Sequence, residues 1–494
     1  MKYSFLCLST LTILACQTTP ETQEKPFDKV THLMDQYANE ALRKGNLNSI
    51  SLGIYRNGNT YHNYYGELQK NTANPPNDQT LFEIASISKV FLGSLMAQAV
   101  VENKISLEDD IRMYLNGDYQ NLEFDGTAIT VRDLLTHTIG FDTPARLKST
   151  YHKIFQGAYK DTNIEYSMED LFEELKTVEL IREPGTYYDY NNVGSELAAY
   201  ILEQINHQPY QAQLQGFFDS LDMQNTYLQD FERHRDHLAV GYDENNKLAS
   251  ITKNPLLGGS AGIISTVPDL MKLMKFQLES GHPLVKEATK VLFEDDDDNV
   301  IGYLWQDMGV AEEEGFYYSK SGDANGIKSI MLICPDSDYG QLVIINNQSE
   351  AAGDDWATLF NQMETDLIKY PKINLKSWLK PAFIEDKKRA KAQFNELKKK
   401  EDSYFNTNLI WVLNRIGYDL LYNEKNTQEA IQMFEFALIE DPENANLYDS
   451  LGEAFLVSKD YEKALINYKK SLALNPDNEG AKASIDKINQ LNDQ

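Results

Sequence analysis

Apolar and polar positions from Val30 to Arg43 follow the period of one helix face and predict an amphipathic helix. Ser51–Tyr55 and Thr60–Tyr65 are strand-like runs joined by Arg56-Asn57-Gly58-Asn59, and Asn-Gly between such runs signals a hairpin. A second helix is expected to open near Ser86 and run through Val101, a third to follow Thr130, and a fourth to cover Ser195–Ile205. Thr266 is placed to cap a further helix with Pro268 in its first turn. Strands are expected again over Gly315–Tyr318, Lys328–Cys334 and Gln341–Ile345. Strands at both ends with helices between them suggest one α/β layer interrupted by a helical insertion, in a unit spanning residues 29–370.

Residues 384–400 are charged and helix-favouring, with Lys387, Lys388, Arg389, Lys391, Lys398, Lys399 and Lys400, and read as a solvated linker helix within 371–404. Beyond it Ala430, Phe434, Ala437 and Pro442 recur 34 residues later as Ala464, Tyr468, Ser471 and Pro476. Leu451-Gly452 with Phe455, and Ile416-Gly417 before them, complete a pattern that resembles the tetratricopeptide repeat. Two repeats are few for a stable stack, so residues 479–491 are expected to cap it, giving a TPR unit over 405–494. Such a unit either binds a protein or peptide partner in its groove or packs on its own neighbour.

The first residues form a separate region. Lys2, the apolar run Phe5–Ala15 and then Cys16 read as a signal peptide over 1–15, the run being too short to span a bilayer. Ile13-Leu14-Ala15-Cys16 resembles a bacterial lipobox, which implies lipid on Cys16, a polar tether over 16–28, and residence at a bacterial membrane, facing the periplasm or exterior. With Cys7 removed and Cys16 lipidated, Cys334 is left alone, so no intramolecular disulfide is expected; it sits in an apolar run and reads as core filler.

At 494 residues and 42% hydrophobic content the chain has room for two or three domains. Its 75 acidic and 46 basic residues give a net charge of −29, which disfavours nucleic acid and anionic bilayers as electrostatic partners.

Ser86-Ile87-Ser88-Lys89 opens an apolar helix, where positions i and i+3 share a face and bring the Lys89 amine to the Ser86 hydroxyl. A serine needs a base to attack a carbonyl, and a lysine of lowered pKa supplies one. The same S-x-x-K spacing at Ser250, Ser377 and Ser484 lacks that setting. Tyr190-Asn191-Asn192 follows Ser86 by 104 residues, and Lys320-Ser321-Gly322 follows Tyr190 by 130. This order, with Pro184-Gly185, Leu134-Leu135-Thr136-His137-Thr138-Ile139-Gly140 and Gly258-Gly259…Ser265-Thr266…Asp269-Leu270, resembles the serine β-lactamase and penicillin-binding-protein family of class C β-lactamases, DD-peptidases and esterases, over roughly residues 29–350.

The resemblance implies an α+β catalytic domain (an antiparallel sheet flanked by helices, with a helical subdomain) followed by an all-α TPR domain. It implies a secreted hydrolase with Ser86 as nucleophile and no cofactor, acting on a D-alanyl peptide, a β-lactam or a small ester. Lys89 and Tyr190 would share acid–base work, and Asn192 would bond Lys89 or the substrate. Lys320, on an edge strand, and Ser321 would meet a substrate carboxylate. The N–H groups of Ser86 and Asp323, beside Gly322, would form the oxyanion hole. Asp323 adds a negative charge near the site. The alternative is a catalytically silent envelope protein whose TPR recruits a partner.

Three other features read blandly. His137 looks structural in this family. The acidic run Glu294–Asp298 lacks calcium-loop spacing, and no His/Cys cluster has zinc spacing, so no metal is expected. Gly258-Gly259-Ser260-Ala261-Gly262 matches the nucleophile elbow of another hydrolase class, but Ile263-Ile264-Ser265-Thr266 intervenes before the next helix.

Overall fold

The computed structural model describes residues 29–140, 166–251, 256–311, 314–368, 375–399, 409–476 and 478–492. The expected signal peptide and tether, with Cys16, lie outside the described residues. Strands β1 (Ser49–Arg56) and β2 (Asn59–Gly66) form the expected hairpin, which turns on Asn57 and Gly58, both at positive φ. A small sheet combines β3 (Phe82–Glu83), β4 (Thr226–Leu228) and β5 (Ile263–Ser265), with β5 in the middle. Strands β6 (Gln306–Ala311), β7 (Gly315–Ala324), β8 (Ile327–Cys334) and β9 (Tyr339–Ile345) complete a large sheet in the order β6-β7-β8-β9-β1-β2, antiparallel throughout.

The first strands thus dock beside the last, with Ile50 opposite Ile345 and Tyr55 opposite Gly340. Successive side chains on a strand point to opposite faces, so one sheet serves two cores. Met331, Ile333, Leu342 and Ile344 pack into the central core with the helical insertion. Leu332, Cys334, Val343 and Ile345 face α1 (Lys29–Arg43) and the later helix Glu350–Ile368. Cys334 is fully buried, and burial pushes its thiol pKa up, as befits core filler.

Helix α2 (Ser88–Val101) buries eleven of its fourteen residues, so it runs through the core and not along the surface. Around it lie α3 (Val131–Thr136), α4 (Met168–Leu175), α5 (Val193–Asn206), α6 (Tyr210–Ser220), α7 (Val267–Glu279) and α8 (Pro283–Ala288). Thr266 caps α7 by accepting from the Asp269 amide, with Pro268 in the first turn. The acidic run at 294–298 is the turn of a short hairpin, closed by the Asp295 carboxylate on the amides of Asp297 and Asn299.

After α9 (Glu350–Ile368) the remainder is helical: α10 (Leu375–Glu385), α11 (Lys387–Lys399), α12 (Leu409–Tyr418), α13 (Thr427–Glu440), α14 (Ala445–Val457), α15 (Tyr461–Leu474) and α16 (Glu479–Asn492). The repeat positions Ala430, Phe434 and Ala437, and Ala464, Tyr468 and Ser471, are all buried. The repeat's glycines have a packing cause. A Cβ on Gly417 would come within 2.3 Å of the Phe434 ring, and one on Gly452 within 3.0 Å of Tyr468.

The solvated linker helix expected over 371–404 is corrected. Its described part is a hairpin, α10–α11, that buries Leu379, Phe383, Ala390 and Phe394 in the helical core. Phe383 stacks on Phe436 at 6.0 Å, Phe394 meets the same ring edge-on at 5.5 Å, and Lys391 covers it at 4.6 Å. The i, i+4 pairs 379/383 and 390/394 give each helix an apolar stripe that the lysine-rich composition hid. The helical unit also touches the unit built on the large sheet: Lys286 Nζ donates to the Tyr422 carbonyl at 3.1 Å, and Arg415 lies 3.7 Å from the buried Asp338. Among the described residues no helix is long and apolar enough to cross a membrane.

Candidate active site

Ser86 occupies a single 3₁₀ turn, Ala85–Ile87, which leads directly into α2 at Ser88. Ala85 holds a φ of 45°, a left-handed conformation that costs a non-glycine residue about 1 kcal/mol. One turn on, Lys89 is fully buried, with its Nζ 3.2 Å from Ser86 Oγ. Nζ also donates to Asn192 Oδ1 and to the Ser260 carbonyl, each at 2.7 Å. Burial pulls the Lys89 amine down from an ordinary 10.5 to about 7, against the opposing charge of Glu196. Tyr190 Oη donates to Ser86 Oγ at 2.7 Å. Burial raises the phenol to about 12, with Asp323 adding to the rise and the Ser86 bond opposing it.

Tyr190 and Asn192 stand at the mouth of α5 because the preceding loop is braced from below. Asn191 Oδ1 accepts from the Gly194 amide at 2.9 Å, and the His137 carbonyl accepts from the Asp189 amide at 2.8 Å. His137, itself left-handed at φ 59°, lays its ring 4.5 Å from that of Tyr190, while its Nδ1 accepts from the Asn191 amide at 3.5 Å. Burial, Lys320 and Lys89 hold its pKa well below the ordinary value, so His137 stays neutral and supports the tyrosine. Ile139 lies in the central core beside it.

Lys320 reaches the cluster from β7. Its Nζ is 4.9 Å from the Tyr190 ring centre and, among the described residues, has no hydrogen-bond partner although the side chain is fully buried. Burial and Lys89 hold its pKa well below the ordinary lysine value, against Asp307. The expectation of an edge strand is corrected: β6 is the edge, and β7 lies inside it. The β6 ladder, however, runs only from Ala311↔Gly315 to Gln306↔Ser319, so residues 320–324 have a β8 partner on one side alone.

Gly322 is fixed by contact, since a Cβ there would fall 2.2 Å from the Ile84 carbonyl and 2.7 Å from Ser329 Oγ. Strand β7 therefore lies directly against the turn that carries Ser86. Ser321 is half-buried on that strand. The Asp323 side chain is 55% exposed and accepts from Lys328 Nζ at 3.0 Å, so its charge is partly met outside the site.

Two contributors escaped the sequence reading. Ser260 is no nucleophile: its Oγ donates to Glu196 Oε1 at 2.6 Å, and it serves Lys89 through its carbonyl. Glu196, wholly buried on α5, also accepts from the amides of Ser260 and Gly259 at 3.0 and 3.3 Å. The available signal was a carboxylate among Val193, Leu197, Ala198 and Ala199 on a helix one turn beyond Asn192. Among the described residues no group of three His, Cys, Asp or Glu side chains could hold a metal ion.

The fold and this cluster together place the chain in the serine-hydrolase class. It belongs to the beta-lactamase family, whose model matches residues 29–362, and a tetratricopeptide repeat matches residues 445–478. The chain is 23% identical over 331 residues to protein flp of Staphylococcus aureus, a match spanning 64% of this chain and 63% of flp, less than two thirds of that protein's length. It is 22% identical over 379 residues to a beta-lactamase of Providencia stuartii, covering 69% of this chain and 91% of that one. Among solved structures, the beta-lactamase/D-alanine carboxypeptidase of Yersinia pestis, complexed with citrate, superposes with a TM-score of 0.59 at 20% identity, covering 69% of this chain and 99% of that one. The octameric penicillin-binding protein homologue of Pyrococcus abyssi does so at 0.57 and 20% identity, over 71% and 81%. These structural likenesses establish the fold.

Proposed function

We propose that the protein is a lipid-anchored envelope hydrolase that forms an acyl-enzyme on Ser86, with a D-alanyl peptide, a β-lactam or a small ester as substrate. The observation that carries this reading is the hydrogen-bond count at Lys89. A neutral amine has two N–H donors and one lone pair. Asn192 Oδ1 and the Ser260 carbonyl, both acceptors, take the two donors. The lone pair is then left for the Ser86 hydroxyl, and a pKa near 7 makes the neutral form available at neutral pH. Tyr190, raised to about 12, keeps its proton and gives it toward Ser86 Oγ.

Acylation follows from these positions. The Ser86 proton passes to Lys89 Nζ as Oγ bonds to the substrate carbonyl carbon. The oxyanion is received by the amides of Ser86 and Asp323. The leaving group departs with a proton from Tyr190, and the Lys89 ammonium then returns a proton to the tyrosinate directly, leaving Ser86 Oγ as the ester oxygen of the acyl-enzyme. Water repeats the sequence on the ester. Lys320, buried and without a hydrogen-bond partner among the described residues, favours a substrate with a carboxylate, whose arrival would let the amine hold its proton.

Incubation with benzylpenicillin followed by intact-mass measurement, beside Ser86→Ala, tests the reading. A lasting adduct on the wild type alone supports a penicillin-binding peptidase, and a transient one with drug loss supports a β-lactamase. No adduct, and no turnover of D-alanyl peptides or small esters, would favour a silent binding protein. The anchor has a separate check: mature protein without a diacylglyceryl mass on Cys16 refutes it.

A further inference from the structure

The loop 258–262 has no catalytic side chain of its own, yet it supplies one of the two acceptors on Lys89. What holds it is Glu196. Oε1 takes the Ser260 amide and hydroxyl, Oε2 takes the Gly259 amide, and the Ser260 carbonyl is thereby turned away from the carboxylate toward Lys89 Nζ. The approach is tight, since a Cβ on Gly259 would fall 2.4 Å from the Ser195 carbonyl. One helix therefore grips the lysine twice, directly through Asn192 and, one turn later, through Glu196 and Ser260. We propose that Glu196 is a positioning residue that sets both the orientation and the proton affinity of Lys89 through the Ser260 peptide.

The charge of Glu196 acts on the same amine. Lys89 is faced by Glu196 from α5, by Lys320 from β7, and by Tyr190 and His137 from the loop and the end of α3. Among the described residues Glu196 is the carboxylate whose charge acts on the Lys89 amine, and it favours the ammonium against burial. It also faces Tyr210 on α6, whose phenol it keeps protonated together with burial. Loss of that one negative charge moves Lys89 further toward the neutral amine, while loss of the hydrogen bonds frees the carbonyl that aims it.

The inference rests on Ser86 being acylated, so its test needs a readout that does not. Lysine labelled with 13C at Cε, with Lys89→Met for assignment, reports the titration of Lys89 by NMR in the full chain. Glu196→Gln should lower the Lys89 midpoint by about one pH unit. An unchanged midpoint overturns the proposal whatever the enzyme does. In ester hydrolysis the same variant should lose about 100-fold in kcat, the scale of a misplaced catalytic group, with KM little changed and the acid limb of the pH profile moved down. Glu196→Asp should restore the midpoint. If Glu196→Gln does not fold, Ser260→Ala removes one of the three bonds and keeps the charge. It should lower kcat with the acid limb in place, and wild-type kcat in that variant overturns the relay. Turnover that survives in Ser86→Ala would instead sink the acyl-enzyme reading and leave the NMR result standing.

Discussion

Lys89→Met separates a base that is neutral in the native state from one that is charged. In the folded protein the amine titrates near 7, and in the unfolded chain near 10.5. Between those values the unfolded chain holds a proton that the native state lacks, so this group makes stability rise with pH by about 1.4 kcal/mol per pH unit. Across the whole window that is about 5 kcal/mol of destabilisation, fully present below pH 7 and gone above pH 10.5. Methionine removes it but strands Asn192 Oδ1 and the Ser260 carbonyl, at about 1–3 kcal/mol each. At pH 7.5 the neutralisation cost removed is about 4 kcal/mol, so the variant should match or slightly exceed the wild type in stability. By pH 9.5 it should be the weaker of the two. Lys320 and Lys89 disfavour each other's charge. A second pair of curves in a Lys320→Met background isolates Lys89. Urea unfolding of both proteins at pH 7.5, 8.5 and 9.5 measures the difference. Stability curves that stay parallel would show that Lys89 is charged when folded and would remove it as the base.

Gly322→Ala pushes a methyl against the Ile84 carbonyl, so β7 must back away from the Ser86 turn; kcat/KM should fall about 100-fold, and retention within threefold would refute the contact. His137→Phe keeps a ring under Tyr190 but leaves the Asn191 amide without its acceptor. Activity should drop about tenfold with the shape of the pH profile between 5 and 8 unchanged, whereas loss of a limb would make the histidine an acid or base. Phe436→Ala removes the ring shared by Phe383, Phe394 and Lys391. It should cost the helical unit about 3–5 kcal/mol in denaturant unfolding, and a loss below 1 kcal/mol would return α10–α11 to the role of a loose linker.

Ser86 and Lys89 were legible because an apolar helix opens behind their i, i+3 spacing, a setting that the same spacing at Ser250, Ser377 and Ser484 lacks. Tyr190, Asn192 and Lys320 needed motif order as well, since Tyr-x-Asn occurs several times by chance. The bracing beneath them was invisible for other reasons. Ser260 contributes a carbonyl, and backbone groups leave no mark in a side-chain pattern. Glu196 is a charge on an apolar helix, and sequence does not say which way that face turns. Whether β7 is an edge depended on how far β6 extends, and the β6 ladder stops at Gln306↔Ser319, past a register shift between Gln306 and Gly309. The α10–α11 stripe was masked by lysines that lie around it.

The protein carries a net charge of −29 yet hides Lys89, Lys320 and Arg56 inside. Its long-range field therefore repels an anion at a distance, while the buried cationic residues add little to that field. Dissolved salt acts on the two parts unequally. Raising ionic strength from 0.1 to 1 M shortens the reach of surface charge from about 10 Å to about 3 Å and leaves buried groups far less affected. A carboxylate-bearing molecule would thus be admitted faster in concentrated salt, the reverse of an enzyme that draws anions in with a basic rim. Such a surface discriminates by sign before any contact with the Ser86 site is made.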